Sequence, residues 1–217
     1  MKTGTDIRGL VIVKLEERSP YLMAGGSNGP ILSGGDSLSE LKPIYGYIDE
    51  QLPIAANEVL LSVPIHKLYP AEASDSTVTS NEDGTGKITL PEDFLRLALL
   101  KMKEWSVPIH MAISADHPLY RLQLNKYTRG HAQKPVAVYS SDYDMNQYLE
   151  YYSVEKDHTI EKLSYIKRFD MADNYHDTVA ELIALNCAKK IYEIYGNTEQ
   201  VTLMTSEIQN VQNVMLL

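Results

Sequence analysis

Apolar residues recur at helical spacing along the first part of the chain. They predict a helix over about residues 6–18, with Thr5 as its cap and Pro20 beyond its end. The apolar face of this helix consists of Ile7, Leu10, Val11 and Leu15. A Gly- and Ser-rich segment at 23–37 follows, and its composition predicts an exposed loop.

A second helical pattern follows Pro43, which suits the first turn of a helix. Its apolar stripe consists of Ile44, Tyr47, Ile48, Ala55, Ala56, Val59 and Leu60. Pro53 lies inside this stripe and must either kink one long helix or begin a second one. Pro64 closes the segment.

The C-terminal part of the chain carries the widest apolar face, over about residues 180–195. Tyr192 and Tyr195 lie in this stretch, and the pair Gly196-Asn197 predicts the end of the helix. Thr198 with Glu199 is suited to begin a second helix. The chain is therefore expected to be helical at both ends.

The segment KITLPEDFLRLALLKMKEWSVPI, residues 87–109, predicts a short strand and then a proline-started helix over 91–105. Leu97 and Leu100 fall on the side of this helix that should face water. Two explanations are open: a neighbouring subunit covers them, or the helix lies in the centre of the core. Periodicity alone favours the central helix.

Residues 107–170 are mainly short β-branched or aromatic segments separated by turns, with one short helix within 117–127. Residues 154–160 are predicted to link two strands as a hairpin. The fold class is therefore α+β: a helical bundle with a central, mainly antiparallel β insertion. The bundle is assigned residues 1–64 and 171–217 with helix 91–105, and the β insertion is assigned 65–90 and 106–170.

Composition and charge narrow the function classes. The chain has 217 residues, a net charge of −9, and a single cysteine, Cys187, which excludes an internal disulfide. It has no basic patch typical of a nucleic-acid-binding protein. It also has no apolar run long enough to predict a membrane span. The 15 tyrosines combine apolar area with a polar tip, which suits surfaces shared with a partner.

Catalytic, cofactor-binding and metal-binding motifs are not found in the sequence. GTGK at 84–87 lacks the glycine spacing and the final Ser or Thr of a phosphate-binding loop. DYDMNQ at 142–147 lacks the glycine of a calcium loop and predicts a turn. No catalytic residue, cofactor or metal is therefore predicted, and the chain is not expected to be an enzyme.

Three segments, in order, resemble bacteriophage head-to-tail adaptor proteins. They are residues 47–70, residues 87–109, and residues 161–170 with 180–204. They are similar to a helix, to a strand–LP–helix–Trp passage, and to a closing strand with a long final helix in those proteins. The similar families are the tail tubular protein A group and the neck ring proteins of crAss-like phages.

The resemblance implies a structural virion protein that forms a ring, commonly of twelve copies, in the phage neck. Its partners would be copies of itself, the portal protein and further neck or tail proteins, after assembly in the host cytoplasm. DNA would pass through the channel without specific binding, and no membrane would be involved. Candidate subunit contacts are Leu97, Leu100, Trp105, Tyr192 and Tyr195.

Two other function classes stay open. A tail-associated hydrolase acting on bacterial surface polymers would need a carboxylate pair across a cleft. Asp142, Asp144 and Glu150 are the clustered acids near predicted strands. A non-catalytic binding module is the third possibility.

Overall fold

The computed structural model describes residues 1–18, 37–143 and 146–215. The chain divides into two compact units, Met1–Leu68 with Phe169–Leu217, and Tyr69–Arg168. The first is called the helical unit and the second the β unit. The α+β class is confirmed. The loop predicted at 23–37 lies outside the described residues, except Ser37, which begins a helix.

The helices are α1 (Gly4–Arg18), α2 (Ser37–Ser62), α3 (Pro118–Gln123), α4 (Asp177–Ile194) and α5 (Thr198–Met215), with a 3₁₀ turn at Ile65–Lys67. The strands are β1 (Lys2–Thr3), β2 (Ala71–Glu72), β3 (Val78–Ser80), β4 (Gly86–Thr89), β5 (Phe94–Met102), β6 (Ile113–Ser114), β7 (Ala137–Ser141), β8 (Gln147–Tyr151), β9 (Ile160–Lys167) and β10 (Asn174–Tyr175).

Helix α1 begins with a reciprocal cap, at a residue other than the predicted Thr5. The Thr3 hydroxyl accepts from the backbone N–H of Asp6 at 3.2 Å, and the Asp6 carboxylate accepts from the Thr3 backbone N–H at 2.8 Å. Each side chain thus satisfies a backbone donor of the other residue, as in a capping box. Of the four predicted apolar positions, Ile7, Val11 and Leu15 are buried, whereas Leu10 is half-buried.

Helix α2 is continuous through Pro53, so the sequence alternative of two separate helices is not realised. A proline inside a helix removes one backbone hydrogen bond. Buried residues stand on both sides of it, Leu52 before and Ala55 and Ala56 after. Because both halves of α2 contribute to the apolar core, packing outweighs the local cost of the proline.

Helix α4 is the central helix of the helical unit, and it packs against α1, α2 and α5. Its buried residues occupy more than one face: Val179, Ala180, Leu182, Ile183, Ala184, Leu185, Cys187, Ala188, Ile191 and Tyr192. The helix ends at Ile194, close to the predicted stop, and Gly196 beyond it has a left-handed φ of 69° that suits glycine. A helix that is apolar on several faces therefore exists, but it is α4 rather than 91–105.

The β unit contains two sheets that share one core. One has the strand order β2-β9-β5 and the other β3-β4-β8-β7-β6. All pairs are antiparallel except β6 with β7, which is parallel. The predicted hairpin at 154–160 is wrong, because β8 pairs with β4 and β7 while β9 pairs with β2 and β5. Residues 154–160 instead connect the two sheets.

The predicted helix over 91–105 is also wrong, because this segment forms strand β5. The pairing of β5 with β9 shifts register at three places, between Phe94 and Arg96, Leu97 and Leu99, and Lys101 and Met102. Each irregularity turns the following side chains relative to a regular strand. The buried positions alternate from Ala98 to Met102 but not from Phe94 to Ala98, so the strand period does not hold along the whole of β5.

Candidate interaction surface

The predicted subunit-contact residues are buried inside their own units. The exposed fraction is 1% for Leu97, 0% for Leu100, 2% for Trp105 and 0% for Tyr192. Tyr195 is half-buried and packs edge-on against Tyr47, with ring centroids 6.0 Å apart. The four buried side chains have no surface to offer, so no neighbouring subunit is needed to cover Leu97 and Leu100.

Trp105 and its neighbour Glu104 organise the corner where β5 ends. The indole N–H of Trp105 donates to the Ser153 carbonyl at 3.2 Å. The Glu104 carboxylate accepts from the backbone N–H groups of Glu155 at 2.7 Å, Lys156 at 3.1 Å and Asp157 at 2.8 Å. These bonds lower the pKa of Glu104, and they give both side chains a structural role.

The acids considered for hydrolysis are partly engaged in local structure. The Asp142 carboxylate accepts from the backbone N–H of Asn146 at 2.8 Å and from its side-chain amide at 3.0 Å. These bonds close the turn between β7 and β8, which agrees with the turn predicted there. Glu150 accepts from the Tyr152 hydroxyl. Asp144 lies outside the described residues.

Asp142 also lines a cleft of about 580 Å³ in the β unit, together with Glu92 and Arg168. The ammonium of Lys87 lies 4.3 Å from the ring centroid of Tyr148 in the same cleft. The lining thus combines charges of both signs. Among the described residues, no group of three or more His, Cys, Asp or Glu side chains is placed to hold a metal ion.

The largest concentration of exposed apolar side chains in the β unit lies in the connection between β5 and β7. The exposed fraction reaches 78% for Met111, 61% for Leu124 and 95% for Tyr127. The loop surface is defined here as Val107, Met111, Leu119, Leu122, Leu124 and Tyr127. Several exposed apolar side chains within one connection are typical of a contact site.

Helix α3, within this connection, buries a polar side chain and exposes apolar ones. Gln123 is buried, with 3% of its surface exposed, whereas Leu119 and Leu122 are exposed. The Gln123 amide donates to the Leu119 carbonyl at 3.0 Å, and its oxygen accepts from the backbone N–H of Gly130 at 2.8 Å. Packing against the β unit therefore uses the glutamine and leaves the leucines facing outward.

The connection that carries the loop surface is closed by hydrogen bonds at its base. The Ser106 backbone N–H donates to the Ala132 carbonyl at 2.9 Å. Arg129 pairs with Asp83 at 3.3 Å. Gly130 packs so closely that an added Cβ would lie 2.7 Å from the Lys134 carbonyl oxygen. The leucines therefore lie on a tied loop, meaning a loop whose base is held by hydrogen bonds, rather than on an unconstrained segment of chain.

Positive charge accompanies the loop surface. Residues 107–134 contain four Lys or Arg residues and one acid, Asp116, although the whole chain is acidic. Arg121, Lys126 and Lys134 are exposed. The surface is therefore apolar with a cationic rim.

A second apolar feature, in the helical unit, is a groove of about 180 Å³ between the ends of α2 and α5 and the side of α4. It is called the helical groove and is lined by Ser62, Val63, Pro64, Leu182, Gln212 and Met215. Leu61 and Val214, which adjoin the lining residues in sequence, are 48% and 64% exposed.

Sequence reasoning predicted a short helix within 117–127 but missed the loop surface. The available signal was the spacing of Leu119, Leu122 and Leu124 beside basic residues. That spacing alone does not reveal which face is buried. The leucines are exposed because Gln123 occupies the inner position of the helix.

No protein-family model matches the chain, and no curated protein matches it either. No described helix is both long enough and apolar enough to cross a membrane.

Proposed function

We propose that this chain is a structural protein of the bacteriophage neck, which assembles into a ring between the portal and the tail. The observation that carries the proposal is the order of its parts: both ends of the chain form one helical unit, and a β unit is inserted between them. The three segments similar to head-to-tail adaptor proteins occur in that same order.

Two of the three similar segments have the secondary structure that the resemblance implies. Residues 47–62 belong to the continuous helix α2, and the last segment contains strand β9, helix α4 and the beginning of helix α5. The middle segment is the strand β5, where the resemblance implies a helix. The support therefore comes from the helical unit and from the order of segments, rather than from residues 91–105.

The surface properties are consistent with a ring. In a ring, each subunit uses two different surfaces. The first surface of one copy contacts the second surface of the next copy. The chain carries two apolar features of different shape, the loop surface and the helical groove. The net charge of −9 would disfavour tight binding of phosphates by the ring.

The experiment is to purify the chain together with the portal protein encoded by the same genome, and to image the complex by electron microscopy. A ring of density against the portal, together with a fixed copy number per virion from quantitative mass spectrometry, is the expected result. The salt concentration should be varied, because charged contacts weaken as salt increases. A chain that is missing from purified virions and does not associate with the portal at any salt concentration would refute the proposal.

A further inference from the structure

We propose that the loop surface of one copy docks into the helical groove of a second copy, and that this is the contact between neighbours in the ring. The inference rests on the proposed function, since it names the surfaces through which that assembly forms. The occupant of the loop surface is thus a second copy of this chain.

The loop surface and the helical groove are both apolar, and one projects while the other is a recess. The loop surface projects apolar side chains from a tied loop, and Leu122 and Leu124 are exposed on it. The helical groove is a recess with Val63, Leu182 and Met215 in its lining. A space of about 180 Å³ admits one large apolar side chain. These three apolar side chains of the groove are already buried, so the apolar area removed from water is mainly that of the entering leucine.

The helical unit and the loop surface differ in charge. Of the 29 acidic residues, 15 lie in residues 1–68 and 169–217, beside only 8 of the 20 basic residues. The helical unit is therefore strongly acidic, whereas the loop surface has a cationic rim of Arg121, Lys126 and Lys134. Complementary potentials favour this pairing and increase the association rate.

The same charges disfavour the symmetric alternative. If two copies met through their loop surfaces, the cations of one rim would face those of the other, and like charges across an interface are unfavourable. A contact between loop surface and helical groove is heterologous, so each copy keeps one surface free for the next neighbour. Such a contact continues around a ring instead of stopping at a dimer.

Disulfide trapping between two variants, each with one added cysteine, tests the contact. The natural Cys187 is buried, with 0% exposed, so it does not compete. Leu122→Cys and Gln212→Cys are prepared separately, mixed at high concentration and mildly oxidised. Only a contact between different copies can join position 122 to position 212. The matched control replaces Gln212→Cys by Ser206→Cys, an exposed position on the same helix α5.

The expected result is a disulfide-linked dimer of positions 122 and 212, several times more abundant than the dimer formed with Ser206→Cys. Adding Arg121→Glu and Lys126→Glu to the Leu122→Cys chain should remove that excess, because the rim would then repel the acidic helical unit. The variant Leu124→Cys provides a second probe, and circular dichroism checks that each variant is folded. Equal dimer yields with both α5 positions, for Leu122→Cys and for Leu124→Cys, would overturn the inference.

The outcomes separate this inference from the proposed function. If a ring forms on the portal but position 122 does not join position 212, the neighbour contact is wrong and the neck function stands. If the two positions are joined but the chain does not associate with the portal or the virion, the contact is right and the neck function is wrong.

Discussion

Replacing Glu104 by glutamine should destabilise the β unit. The Glu104 carboxylate accepts from the backbone N–H groups of three successive residues, 155–157, at 2.7, 3.1 and 2.8 Å. A hydrogen bond to a charged group contributes about 1.5–3 kcal/mol in net terms. Glu104 is partly exposed, and glutamine keeps one acceptor oxygen. The free energy of unfolding should therefore fall by about 1–2 kcal/mol, which is near the lower limit of the contribution of one such hydrogen bond.

Urea denaturation followed by tryptophan fluorescence measures this loss. Trp105 is the single tryptophan of the chain and is buried beside Glu104, so its emission reports unfolding of the β unit. With a denaturant slope of about 1–3 kcal/mol per molar urea, a loss of about 1–2 kcal/mol lowers the midpoint by about 0.3–2 M. Glu82→Gln, at an exposed position of the same unit, removes the same charge and should leave the midpoint nearly unchanged.

The stability difference between wild type and Glu104→Gln should change with pH in a definite direction. The backbone N–H groups hold the pKa of Glu104 below its usual value. A carboxyl with a lowered pKa in the folded state stabilises fully above its unfolded pKa, and the stabilisation is lost as the pH falls through the folded pKa. The gap between wild type and Glu104→Gln should therefore be constant near neutrality and shrink in acid. Equal midpoints at pH 7, or a gap that widens in acid, would refute this account of the carboxylate.

The remaining predictions concern close packing and burial. Gly86→Ala should lower the melting temperature, because the added Cβ would lie 2.2 Å from the Tyr151 hydroxyl oxygen, and overpacking costs about 1–3 kcal/mol. Its control Gly46→Ala, in open space on helix α2, should stabilise the chain by up to about 1 kcal/mol. Burial raises the pKa of Cys187 to about 12, so a thiol reagent should label it quickly only after denaturation. Leu97→Ala should reduce stability by about 2–5 kcal/mol in calorimetry, and an unchanged melting temperature would contradict its place in the core.

Long apolar periodicities predicted the helical unit well. Helices α1, α2 and α4 were expected from runs of more than ten residues, in which several turns repeat the same face. Helix α5 was expected only from Thr198 and Glu199, which suit the beginning of a helix. Details that depend on single side chains were less predictable. Thr3 rather than Thr5 caps α1, because Asp6 returns a hydrogen bond to the Thr3 backbone. Continuity through Pro53 depends on packing partners that are far away in sequence.

The β unit was harder to predict because its irregularities are set by pairing. The register shifts of β5 arise where it meets β9, about 60 residues later in the chain, and no local window contains that information. The assignment of β8 and β9 to different sheets is likewise a long-range property. Gln123 presents the same difficulty at the candidate site, since its inward position depends on the backbone N–H of Gly130.

The exposed apolar side chains that suit a partner lie outside β5. The sequence suggested that Leu97 and Leu100 lacked cover, and the structure buries both inside the β unit. The structure instead exposes Leu122 and Leu124 on a loop closed by hydrogen bonds at its base. A tied loop loses little conformational entropy when it docks, so its apolar area is available for association at low cost. The physical reason to expect self-assembly therefore rests on the loop surface, and variants there, rather than in β5, should separate assembly from folding.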